Sequence, residues 1–118
     1  MYQTGYAEVL ADSGAASRSH ERRAFDHAIE LLLAAEAQGR RSREAVEALH
    51  FTDRLWRVLL EDMALPENAL PDQLRANLIS IGIWMLKEIE LIRHDESDNF
   101  AGLVEICTNI RDGLACPR

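Results

Sequence analysis

Between Leu59 and Lys87 the chain reads LLEDMALPENALPDQLRANLISIGIWMLK, which joins a helix stop, a helix start and a helix with oily residues on every side. Pro66 ends the first helix, since proline lacks an N–H and its ring clashes with the preceding turn, and Pro71 opens the next with its preset φ. From Leu78 to Leu86 only Ser80 and Gly82 interrupt the apolar run. A helix that is apolar around its whole circumference has to be covered on most sides, so this segment predicts a fold in which other helices surround it.

At 118 residues the chain has room for one core. Hydrophobic residues make up 47% and charged residues 28%, the profile of a chain that folds rather than one that stays disordered. Thirteen basic against twenty acidic residues leave a net charge of −7, which disfavours phosphate backbones and anionic lipid, so no direct nucleic-acid partner is expected. No apolar run approaches the ~20 residues needed to span a bilayer, and the opening MYQTGYAEVLADSG has neither the basic region nor the apolar core of a signal peptide. Both observations predict a cytoplasmic protein without membrane insertion. Cys107 and Cys116 form no CxxC pair with nearby histidines and read as reduced thiols, Cys107 on the apolar face of the last helix and Cys116 in the tail.

Periodicity predicts an all-α, single-domain bundle of four helices with an N-terminal arm, over residues 1–118. The arm covers residues 1–16, where Tyr2, Tyr6, Val9 and Leu10 either pack back on the bundle or reach a partner. The first helix is expected over 17–38, capped by Ser17 or Ser19 and stopped by Gly39, with Phe25, Ala28, Ile29, Leu32 and Ala35 inside. The second spans 42–64, with Ala45, Leu49, Thr52, Trp56, Leu59 and Met63 at three- and four-residue steps. The third covers 71–94, with Leu74, Leu78, Ile81, Met85 and Ile92 as its inner stripe. The fourth, over 97–113, is capped by Ser97, buries Phe100, Leu103, Cys107, Ile110 and Leu114, and lies antiparallel to the third across a short loop.

Nothing in the chain resembles catalytic machinery. His20, His27, His50 and His94 fall on separate elements or lack companion ligands, and no HExxH occurs. The HDESD run from His94 to Asp98 lacks the glycine-centred twelve-residue loop of a calcium site and reads as helix capping. No glycine-rich phosphate loop is present, and Ser80 has no base on its helical face. Neither an enzyme nor a bound cofactor or metal is expected.

What remains is apolar surface beyond the needs of one core. Phe51, Leu55 and Val58 form a second stripe on the second helix, and Ile79, Ile83 and Leu86 form one on the third. Either the two helices are central and these stripes are core, or the stripes line a groove for an amphipathic helix of another chain, with Tyr2 and Tyr6 completing it. A spare apolar face also leaves room for a homodimer.

Six segments in order, MYQTGYAEVLAD, SREAVEAL, LWRVLLEDMALPENALP, LISIGIWMLKE, NFAGLVEI and IRDGL, resemble the FlaF family of bacterial flagellin-biosynthesis regulators along nearly the whole chain. The chain departs from that pattern in Cys107, the Cys116 tail and the His94 loop. The resemblance implies a positive factor for flagellin synthesis or export, acting opposite the post-transcriptional regulator FlbT. It implies flagellin as partner, held in the manner of a secretion chaperone; the alternative is a regulator that works through FlbT or another regulatory protein without holding flagellin.

Overall fold

The described residues form four helices, joined by a glycine- and serine-directed turn, a proline-bounded loop and a turn closed at Asp95. The computed structural model describes residues 14–115, with side chains described for 21–113; the expected arm, including Tyr2 and Tyr6, and Cys116 lie outside the described residues. Helix α1 spans Gly14–Gln38, α2 Arg43–Met63, α3 Asp72–Arg93 and α4 Phe100–Ala115. No strand occurs among the described residues.

The helix ends follow from local chemistry. Gly39, at φ +97°, adopts the left-handed conformation that a side chain disfavours, and its N–H closes α1 on the Ala35 carbonyl at 2.7 Å. Ser42 then caps α2 by accepting from the Ala45 N–H at 3.0 Å, while its hydroxyl donates to the Gly39 carbonyl. After α2, Asn68 donates to the Asp62 carbonyl and carboxylate and accepts from Leu70 N–H, shaping the loop between the prolines. Pro71 stands at the N-cap of α3 without a side-chain cap.

Three boundaries differ from those read in the sequence. Gly14–Ala16, expected in the arm, already belong to α1, so neither Ser17 nor Ser19 stands at its start. Helix α4 starts three residues later than expected: Asn99 is the cap, its Oδ1 accepting from the Gly102 N–H at 3.0 Å. Ser97 instead braces that cap, accepting from Asn99 N–H and donating to Glu88. Gly113 does not end α4, which continues to Ala115.

All four helices feed one hydrophobic core. Phe25, Ala28, Ile29, Leu32 and Ala35 of α1 are all buried, as the stripe predicts, against Ala45, Ala48, Leu49, Leu55 and Trp56 of α2, Met85, Ile89 and Ile92 of α3, and Phe100, Leu103 and Cys107 of α4. The packing order is α4 on α1, α1 on α2, and α3 on α2. The short loop before α4 therefore does not make it the close neighbour of α3. It lies along α1 instead, tied there by Arg111 donating to Asp26 at 3.0 Å. With α2 as its one extensive neighbour, α3 is a flank of the bundle and not its centre. Leu74, expected inside, is 43% exposed because the first turns of α3 reach past the residues that cover its later ones.

Candidate partner-binding face

Helix α3 meets the bundle through Gly82, Met85, Ile89 and Ile92, which at 100° per residue occupy an arc of about 80°. The approach is close at Gly82, where a Cβ would stand 2.7 Å from Leu60 Cδ2 and 3.1 Å from Trp56 Cε3. A polar tie reinforces it. Asp53, nearly buried on α2, accepts from Arg93 at 2.9 Å and from Arg57 one turn on, and Arg93 also donates to Glu90 at 2.6 Å. Burial works against the Arg93 charge, but the carboxylates of Glu90 and Asp53 outweigh it and hold its pKa above the ordinary value.

The rest of the α3 circumference faces out. Ile83 is 46% exposed, Trp84 41% and Leu91 38%, all more than a right angle from the centre of the buried arc. Ala76, Ser80 and Lys87 lie between Ile83 and Trp84 on the same outer half, and Ile79 and Leu86 are half-buried on its flank. From Ala76 to Leu86 there is no charged side chain at all. Leu65, Leu70 and Leu74 extend this apolar, exposed character through the loop into the first turn. An exposed helix face ordinarily carries charge, so this is the anomalous surface of the molecule.

The sequence-predicted site residues divide between two places. Ile79, Ile83 and Leu86 sit on α3 as described. On α2, Leu55 is part of the core, and Phe51 sets its ring edge against His27 of α1, with centroids 4.8 Å apart and planes at 88°. Val58 is half-buried on the same side of α2 as Phe51. The residues of α2 that meet α3 are Asp53, Trp56 and Leu60, about half a turn of the wheel away from Phe51 and Val58. The two stripes therefore line no common groove.

Nothing among the described residues assembles a reaction centre. No group of three or more His, Cys, Asp or Glu side chains could hold a metal there. Within the HDESD run Asp95 binds Arg40 and Arg41, Asp98 lies 3.8 Å from Arg40, and His94 Nδ1 lies 2.7 Å from the Glu90 carbonyl. Cys107 is a buried free thiol whose pKa is pushed to about 11, chiefly by burial. The Trp56 indole offsets this in part, although its Nε1–H completes no hydrogen bond. Such a thiol is a small hydrophobe and a poor nucleophile. The sequence reading missed Asp53 and the contact role of Gly82; Arg57 at i+4 from Asp53 was the one local signal for the former.

Fold and surface together define a small all-α protein whose distinguishing feature is a helix with an apolar, solvent-facing side and no charge from Ala76 to Leu86. Comparison with protein-family models gives the flagellar protein FlaF over residues 2–114, and the chain belongs to that family, whose members take part in flagellum biogenesis. Comparison with curated proteins and with solved structures found no match. No helix among the described residues is long and apolar enough to cross a membrane.

Proposed function

We propose that this protein is a non-enzymatic, cytoplasmic adaptor that holds flagellin in the manner of an export chaperone and so promotes flagellin synthesis and secretion. The apolar outer face of α3, formed by Ile83, Trp84 and Leu91 with Lys87 as the one charged side chain among them, carries the reading. An amphipathic helix laid along it covers the exposed halves of Ile83, Trp84 and Leu91. At roughly 25 cal/mol per Å² each such half contributes about 1 kcal/mol. The acidic remainder of the surface keeps the complex dispersed.

Ile83→Asp and Trp84→Asp test this, because both side chains already meet water and their charge need not be buried. Circular dichroism should show both variants folded, and capture of purified flagellin should weaken at least tenfold. Leu55→Asp, which places a charge in the core, should instead unfold the protein. Folded α3 variants that still capture flagellin normally would remove the reading. Capture of FlbT without flagellin by the unmodified protein would favour the regulator alternative.

A further inference from the structure

Trp56 marks one layer of the bundle. Its ring meets Phe25 of α1 with centroids 5.8 Å apart and lies against Gly82 of α3, and at the same level Arg111 of α4 donates to Asp26, the neighbour of Phe25. Helices α1 and α3 both run opposite to α2, as the contacts Phe25–Trp56 with His27–Phe51 and Gly82–Trp56 with Arg93–Asp53 require. Their first residues therefore lie at the same end. At the standard rise, Gly14 stands about 16 Å and Leu74 about 12 Å beyond the Trp56 layer, whereas α4 is described to Ala115, about 6 Å beyond it.

The burial of α3 follows this difference in reach. Leu74, Leu78, Ile81, Met85 and Ile92 share one stripe about 60° wide on the helical wheel. Met85 and Ile92 are fully buried, yet Leu78 and Ile81 are only half-buried and Leu74 is exposed. Leu65 and Leu70 of the preceding loop stand exposed at the same end. Five aliphatic side chains thus gather where α1 begins and the described part of α4 gives no cover.

We propose that the occupant of this open stripe is the chain's own residues 1–13, docked through Tyr2, Tyr6, Val9 and Leu10. That segment joins α1 at Gly14, so its point of attachment is already at the open end. Since α1 and α3 each pack on α2 with axes about 8–10 Å apart, no more than about 20 Å separates them. Thirteen residues span about 43 Å extended and about 20 Å as a helix, so either form reaches. The four apolar side chains follow one another at three- and four-residue steps, which suits them to a stripe of the same period. Tethering gives the segment an effective concentration on the order of mM, ahead of any free partner. Contacts made by a chain terminus open before a core does, so the first turns of α3 stay less protected than Ile89–Ile92. The proposal does not rest on flagellin binding: Ile83, Trp84 and Leu91 lie about a right angle or more around the helix from this stripe, and the test uses no flagellin.

Nuclear Overhauser spectroscopy of the full chain with labelled methyl groups reads the contact directly. The methyls of Val9 and Leu10 should show cross-peaks to those of Leu74, Leu78 or Ile81, and in a mixture of two differently labelled populations these should not pass between copies. Leu10→Ser and Leu74→Ser should each keep the circular dichroism and lower Tm by about 4 °C. The double variant should fall little further than either alone, because both substitutions remove the same contact. Leu33→Ser, at an exposed side chain of α1 on the opposite side of the Trp56 layer, should add its effect in full to that of Leu10→Ser. Absence of the cross-peaks, cross-peaks between copies, or additive losses for Leu10 and Leu74 would each overturn the proposal.

Discussion

Trp56 is the residue on which the helices converge. Fully buried on α2, it sets its ring edge-on to Phe25 of α1 at 5.8 Å, packs over Gly82 of α3 and neighbours Cys107 of α4. Its indole N–H has no hydrogen-bond partner, and neither does the hydroxyl of Thr52 one turn earlier on the same face. A buried polar group left unpaired costs about 1–3 kcal/mol, so the centre of this core carries a removable penalty. Thr52→Val keeps the shape and deletes the hydroxyl. It is expected to stabilise by about 1 kcal/mol, a rise of roughly 4 °C in Tm. Thermal melts decide it, and a lower Tm would mean that the hydroxyl does useful bonding. The inner residues of α1 and most of α2 were legible in the sequence because apolar side chains repeat at helical spacing there. Asp53 was not, since a carboxylate on the buried face looks like a breach until Arg93, forty positions away, is seen to meet it.

At the scale of elements, boundaries were readable where one residue type had one available role. Ser42 before α2 and Gly39 after α1 are of that kind. Ahead of α4, Ser97 and Asn99 can both cap, and only the three-dimensional position of Glu88, which engages Ser97, leaves the cap to Asn99. Gly82 is a subtler case. As a gap in the apolar run it resembles a weak point, yet it lets α3 lie close against α2. A methyl group there would press on Leu60 and on the rigid ring of Trp56, whereas nothing lies within 4 Å of a Cβ at Gly113 of α4. Alanine gains about 1 kcal/mol over glycine in either helix from propensity alone. Gly113→Ala should therefore stabilise by up to that amount, reduced by its nearness to the helix end. Gly82→Ala should destabilise by about 1 kcal/mol net, as overpacking outweighs propensity. Urea unfolding of the pair is the measurement, and equal stabilisation by both would show that α3 has slack against α2.

At the scale of the molecule, the helical class and the four helices of the described residues followed from periodicity, but the order of packing did not. An apolar helix demands cover, and local sequence does not say whether the same chain provides it. Here α1 takes α4 on one side and α2 on the other, and α3 is left on the outer side of α2. That is why the stripe of Phe51 and Val58 turns toward α1 while the stripe of Ile83 meets solvent. Attachment through one neighbour also grades stability along α3. Met85, Ile89 and Ile92 anchor its C-terminal half, where Arg93 reaches Asp53, while the turns from Leu74 to Ile81 have no fully buried side chain. Segments with few buried contacts open first, so amides of Asn77–Ile81 should exchange with an opening free energy about 2 kcal/mol below those of Ile89–Ile92. Hydrogen exchange resolved by residue measures this. Saturating flagellin should raise protection in the earlier turns if it lies along the outer face, because a ligand that binds only the formed helix stabilises it by mass action. Uniform protection along α3 in the free protein would mean that its exposed half is held by contacts other than α2, and the open face would then be a rigid platform rather than a segment completed by its partner.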